Sequence, residues 1–349
     1  MNKKINTKII RSQQIKKTLE KRNEKPHQIS RNAKPKVKQS FSQFKKVSSI
    51  PRPDAKYLTS LAGNIKTIIL PEKGSFNAGL AKFPNSNNYV CVYRPDEYSF
   101  IGCILNEKLN VISKYKKFDI KNCADPRIIW TSDKKLLMIY SSVTDYAPIY
   151  ECIRGSIIMD LNQSDDFIDH PSFRVSPESI KTRQKNWMPF IWEDRIFLIA
   201  SVCPHIIYEL DLSNFTCEQK YETDWVNPWM YKDFLRGNTN AVQLTDGNFL
   251  GTFHTASWHG PCCYYDNGAY LFEGKPPFKV LKCANRTYLK AEDAVQKHFR
   301  NAGRILCTFP VGMVRNDNDI LISYGDNDSV VKVMKTSVDE MKNLMLDVY

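Results

Sequence analysis

The chain has 349 residues, of which 42% are hydrophobic and 12% aromatic, enough to bury a sizeable core in one or two domains. Its formal net charge of +13 is uneven: residues 1–50 hold fifteen of the 50 Lys/Arg and two of the 37 Asp/Glu, leaving 35 of each sign in the remainder. A neutral body excludes a broadly basic nucleic-acid reader, and no run approaches the ~20 apolar residues of a membrane-spanning helix.

In chain order, residues 1–50 form a Lys-rich arm with no apolar periodicity beyond Ile9-Ile10. Such a segment cannot bury enough surface to offset its ordering entropy, so it is predicted to be a disordered basic arm. Two readings stay open: a solvated tail, or a tether to an anionic polymer or membrane surface. It is too charged for a secretory signal, and it is Lys-rich where a mitochondrial transit peptide is Arg-rich. Pro51-Arg52-Pro53 opens a predicted folded domain over residues 51–349. Several of the ten cysteines fall inside apolar runs (Cys91, Cys152, Cys203), and none has metal-ligand spacing. Buried reduced thiols and a cytoplasmic location are the expectation.

Beyond the arm, the same turn-bounded hairpin recurs five times: 77–83 with 89–94, 125–130 with 136–141, 185–191 with 196–201, 238–244 with 249–254, and 309–315 with 320–324. The second strands begin at 89, 136, 196, 249 and 320, a spacing that fits blades of about four strands each. Outer strands are predicted over 100–105, 111–118, 149–160, 206–212, 216–222 and 269–282. Short helices are predicted at 291–299 and from Ser337, whose partner Glu340 completes a capping box. The predicted fold is all-β, a five-bladed β-propeller.

In an antiparallel hairpin the first residue of one strand sits beside the last of the next. Asn77 is therefore expected beside Arg94, Asp125 beside Ser141, Lys185 beside Ser201, Asn238 beside His254, and Phe309-Pro310 beside Tyr324-Gly325-Asp326. Five polar ends facing one axis would make a single funnel.

Ala124-Asp125-Pro126-Arg127-Ile128, Lys185-Asn186-Trp187, Phe253-His254, Phe309-Pro310-Val311-Gly312 and Tyr324-Gly325-Asp326-Asn327-Asp328 resemble, in their order, the motifs of glycoside hydrolase family 130. The resemblance covers roughly residues 74–340. It implies a five-bladed propeller acting with inversion on a β-mannoside or related glycan, with no cofactor and with inorganic phosphate as co-substrate. Asp125 would be the catalytic acid, acting through a sugar hydroxyl. Arg94, Arg127, Lys185, His254 and Tyr324 would hold phosphate, and Asn77, Asn186, Arg236, Asp326 and Asp328 would contact substrate. The partner would be an oligosaccharide or glycoconjugate. Physically, a partly desolvated carboxyl at a strand mouth would have a raised pKa suited to acid catalysis; the plainer reading is a turn-forming Asp-Pro paired with Arg127.

Trp187, inside a strand, is expected in the core, whereas Trp225, Trp229 and Trp258 are expected at the rim or in packing. The chain departs from the family pattern at Ala124, where many members have Glu, and at Phe253-His254-Thr255 in place of Tyr-His-Gly. Hydrolysis would need a carboxylate base, for which Glu151, Glu209 and Glu222 are candidates. A glycosyltransferase of the same fold using an activated sugar donor, and an inactive glycan-binding propeller, are the alternatives. No metal site is expected.

Overall fold

The computed structural model describes residues 60–61, 64–96, 98–142, 152–180, 182–228, 235–259, 262–296 and 305–348, so the predicted arm lies outside the described residues. Five blades follow in chain order. Blade one is Phe76–Lys82, Tyr89–Arg94, Ile101–Leu105 and Lys116–Lys117. Blade two is Cys123–Trp130, Lys135–Ser142 and Cys152–Asp160, with Ser164–Phe167 and Phe173–Arg174 both on its outer edge. Blade three is Met188–Trp192, Arg195–Ser201, His205–Asp211 and Thr216–Thr223. Blade four has a split inner strand, Arg236–Gly237 and Val242–Gln243, followed by Phe249–His259, Cys262–Phe272 and Val280–Ala284, with Met345–Asp347 added outside. Blade five is Ile305–Asn316, Asp319–Asp326 and Val330–Ser337.

The ring closes through Asn64–Thr67, which pairs antiparallel with Val330–Ser337 as the outer strand of the last blade. Each blade lies between two others, so its strands are buried on both faces and read as apolar runs. Five interblade cores result. Val92 and Met138 share one, Ile139 and Leu198 the next, Phe197 and Phe249 the third, Leu250 and Ile322 the fourth, and Val333 with Leu80 the fifth, back to blade one. The far ends of all five inner strands line one cavity of about 410 Å³, which fixes the common axis.

Three local expectations change. The strand expected over 111–118 reduces to Lys116–Lys117 and a single bridge from Val111 to Leu105. The one expected over 269–282 is two strands, because the Pro276-Pro277 segment interrupts the ladder. Of the helix expected at 291–299, only a 3₁₀ turn at Ala291–Asp293 forms, and 297–299 lie outside the described residues. The helix after Ser337 forms at Val338–Lys342 with the expected capping box. No described helix is long and apolar enough to cross a membrane. The nine cysteines whose side chains are described form no disulfide.

Candidate active site

The polar ends of the inner strands are irregular in a systematic way. In blade one the register passes from Phe76↔Arg94 to Gly79↔Val92, and in blade two from Ala124↔Ser141 to Arg127↔Ile139. Asn77 and Asp125 occupy these bulges with φ of 49° and 58°, and Asn186, just before the inner strand of blade three, has φ of 61°. Asn and Asp tolerate this left-handed backbone better than most residues, and a bulge re-aims the side chain it carries. The expected pairs are therefore displaced: Phe76, not Asn77, faces Arg94, and Ala124, not Asp125, faces Ser141. Lys185 precedes the ladder, which starts at Met188↔Ile199, and Arg236 takes the place opposite His254 expected of Asn238. Blade five pairs as expected, Pro310 with Tyr324.

Asp125 is buried, and its Oδ1 accepts from Arg94 Nη1 and from Asn77 Nδ2, both at 3.0 Å. Arg94 in turn lies over the Phe76 ring, 4.6 Å from its centroid. Burial alone would push the Asp125 carboxyl up, but Arg94, Arg127, Lys185 and the Asn77 amide together hold it below the ordinary 3.8. The raised pKa expected of an acid is thus absent, because the bulge delivers the carboxylate to Arg94.

Arg127 is 1% exposed and ties three blades together. Its Nη1 donates to the Asp125 carbonyl at 2.9 Å, its Nη2 to Asn186 Oδ1 at 3.2 Å, and its Nε to the Asn238 carbonyl. It holds the backbone under Asp125 and leaves the carboxylate to Arg94. Burial lowers its pKa to about 10, so it stays charged.

His254 stacks on Tyr265 at 5.4 Å and meets Phe309 edge-on at 5.1 Å. Its Nδ1 lies 2.6 Å from Asn238 Oδ1, and Asn238 Nδ2 donates to Asn267 Oδ1 at 3.0 Å. That order of donors assigns the proton to Nδ1 and leaves Nε2 as an acceptor. Burial, then Arg236 and Arg127, lower its pKa to about 3. His254 is therefore neutral, and the further phosphate donor expected of it would have to be Nε2, which this order of donors leaves as an acceptor.

Lys185 is half-buried, and burial with Arg94 and Arg236 draws its pKa down against the opposing pull of Asp125 and Asp328. Arg236 is exposed. Among the described residues, Asp125, Arg94, Arg127, Lys185, Arg236 and Asp328 thus form one charge cluster, four cations against two carboxylates. Two expected members are elsewhere. Tyr324 is buried in the core between blades four and five. Asp326 is fully buried, paired with Lys332 at 2.6 Å and accepting from the Val295 and Gln296 amides. Asn77 and Asn186 are buried and committed to Asp125 and Arg127.

Of the alternative bases, Glu209 is bound by Arg195 at 2.6 Å and Glu222 accepts from Gln219 at 2.9 Å, both on the outer half of blade three; Glu151 lies outside the described residues. Trp187 packs on Tyr208, Trp225 donates to the Val202 carbonyl at 2.7 Å, Trp258 is exposed, and Trp229 lies outside the described residues. Asn238 and Asn267 orient His254 and were not singled out as site residues in the sequence, although Asn238-Thr239-Asn240 is a polar interruption where an apolar inner strand is expected. No cluster of three or more potential metal ligands occurs among the described residues.

Residues 102–347 match the family of β-1,4-mannooligosaccharide phosphorylases. Among solved structures, a β-1,2-mannobiose phosphorylase from Listeria innocua is 13% identical, with 82% of this chain and 94% of that one covered and a TM-score of 0.56. A family member from work on glycoside hydrolases that target β-1,2-mannosidic linkages in Candida mannan is 11% identical, covering 83% and 93% with a TM-score of 0.56. A GDP-mannose-dependent mannosyltransferase from Leishmania mexicana is 12% identical, covering 83% and 94% with a TM-score of 0.54. No protein of curated function matches the sequence. The structural likenesses carry the five-bladed propeller fold, and the family match over residues 102–347 carries the assignment: this chain belongs to glycoside hydrolase family 130.

Proposed function

We propose that the protein is an inverting phosphorylase of a β-mannoside. The observation that carries this reading is the surplus of cations around Asp125 among the described residues, four against two carboxylates, a balance that favours an anion. Phosphate held by Arg94 and Lys185 attacks the anomeric carbon from the face opposite the leaving group. The new C1–O bond to phosphate forms as the glycosidic C1–O bond breaks. Asp125 supplies the proton that the departing oxygen takes up, by relay through a sugar hydroxyl. Arg127 and Asn77 position Asp125, His254 accepts a hydrogen bond at Nε2, and Arg236 and Asp328 contact the sugar.

The depressed Asp125 carboxyl fits this scheme if phosphate arms it. An incoming dianion competes for Arg94 and adds negative charge nearby, and both changes raise a carboxylate's pKa. The cofactor requirement is then nil, with phosphate as co-substrate.

The deciding experiment incubates the full chain with β-mannosyl disaccharides, with and without phosphate, and follows mannose 1-phosphate. Phosphate-dependent formation of the sugar phosphate supports the reading. Phosphate-independent release of mannose would replace it with hydrolysis, and mannosyl transfer only from GDP-mannose would replace it with a transferase.

A further inference from the structure

Blade four rises above the site. Among the described residues its inner strand pairs no further up than Arg236 opposite His254, yet the next two strands continue as an unbroken ladder from His254↔Asn267 to His259↔Cys262. The start of blade five braces this extension, pairing parallel from Cys263↔Ile305 to Tyr265↔Cys307. Cross-strand partners share a face and faces alternate along a strand, so His254, Ala256 and Trp258 point to one side together with Tyr265, the partner of Ala256. That side adjoins the charge cluster: the Tyr265 ring stacks on His254, and Arg236 and Asp328 both act on its hydroxyl. The two faces of the extension differ in cover. Thr255 is buried and Ser257 and His259 are half-buried, whereas Ala256 is exposed and Trp258 is 67% exposed. Trp is highly buried on average, so an indole held open on a braced ladder, in line with the site, calls for an occupant.

We infer that Trp258 is the platform for an outer sugar, and that the substrate is an oligosaccharide of three or more sugars. The inference rests on the phosphorylase reading and gives it a chain length. Release of mannose 1-phosphate removes the terminal mannose, so every further sugar lies on the leaving-group side of Asp125. Four strand residues separate Trp258 from His254, a rise of about 14 Å. A disaccharide split at Asp125 ends short of that point, and a third or fourth sugar reaches it. Ala256, level with Tyr265, presents only a methyl group, so no large side chain of this strand stands between His254 and Trp258. The indole offers a wide, rigid apolar face with a polar edge, which suits the apolar face of a sugar ring.

The test uses β-1,2- and β-1,4-linked mannooligosaccharides of two, three and four sugars at saturating phosphate. The trisaccharide or tetrasaccharide of the linkage that is used should exceed its disaccharide in kcat/KM by about fivefold to tenfold, the value of one aromatic stacking contact. Trp258→Ala should bring that ratio close to one through KM, and Trp258→Tyr should restore part of it. A ratio near one in the natural chain, or a ratio untouched by Trp258→Ala, overturns the inference. So does an equal loss at every chain length, because Trp258 would then support the hairpin or the chemistry rather than an outer sugar; thermal melting of the same preparation shows which. If no substrate is phosphorolysed, the enzymatic reading fails by itself. Calorimetric binding of the tetrasaccharide against the disaccharide, in the natural chain and in Trp258→Ala, then decides the platform separately, and binding that does not depend on length overturns it.

Discussion

Arg94 Nη1 stands 3.0 Å from Asp125 Oδ1, a pair in which each side chain keeps only about a tenth of its surface in solvent. The two residues come from different blades, and they meet because the Asp125 bulge turns its carboxylate away from its own hairpin partner. The pair explains why a carboxyl this buried is ionised rather than neutral. Under the proposed mechanism it also sets the condition for acid catalysis, since the proton can be loaded only when the hold of Arg94 is relaxed.

Asp125→Asn keeps the size of the side chain and the bond from Asn77 but cannot deliver a proton. The chemical step should slow by roughly 10²–10⁴-fold. A substrate with a good leaving group, needing little protonation, should regain much of the loss. Single-turnover rates and thermal melting on one preparation separate this from a structural role. Full activity per folded molecule would remove Asp125 from the chemistry and leave it as the structural partner of Arg94.

Arg94→Gln acts on the same pair from the other side. Losing the cation raises the Asp125 carboxyl, so the alkaline limb of kcat/KM at limiting phosphate should move to higher pH. The apparent phosphate constant should weaken by about tenfold through loss of a charged donor. A pH profile shifted to lower pH, or an unchanged phosphate constant, would contradict the arming scheme.

Much of this was legible in the sequence. Hairpin recurrence and polar hairpin ends led to the propeller, and Asp125, Arg94, Lys185, Arg236 and Asp328 do converge. Register at the site was not legible, because a bulge adds one residue without a fixed sequence mark, and each bulge moved a pairing by one. The closing strand Asn64–Thr67 was missed because its four residues are exposed and carry no apolar alternation. Tyr324 and Asp326 were misplaced for another reason. Adjacent strand residues point to opposite faces, so proximity in sequence to the funnel end does not decide which side chain enters it.

Gly325, on the second strand of blade five, bears directly on Asp125, the proposed acid. A Cβ there would overlap Asn77 Oδ1, the side chain whose amide holds Asp125. Gly325→Ala should cost about 1–3 kcal/mol as an overpacking substitution, and it should lower activity by displacing Asn77. Adding Asn77→Ala removes the clash, so stability measured by denaturation should partly recover in the double variant while activity does not. Strict additivity of the two changes would show that they do not touch.

Acid sensitivity should come from two histidines. His254 is held neutral with a pKa of about 3, and His205 with one of about 4, the latter buried with its Nδ1 donating to the Phe278 carbonyl at 2.9 Å. Both values lie below the ordinary 6.5, so the unfolded chain takes up protons that the folded one refuses. Stability is therefore present above pH 6.5 and is lost as pH falls from there toward 4 and 3. Each histidine contributes a slope of up to about 1.4 kcal/mol per pH unit in that window. Asp125 also favours the folded state through a depressed pKa, but its contribution persists until pH falls below 3.8, so the window from 6.5 to 4 belongs to the histidines. Denaturant unfolding at pH 7, 6 and 5 should show the decline, and His205→Phe should roughly halve its slope. A stability that stays level between pH 7 and 5 would mean that one or both imidazoles find a charge partner when protonated, and the buried neutral state of His254 would have to be given up.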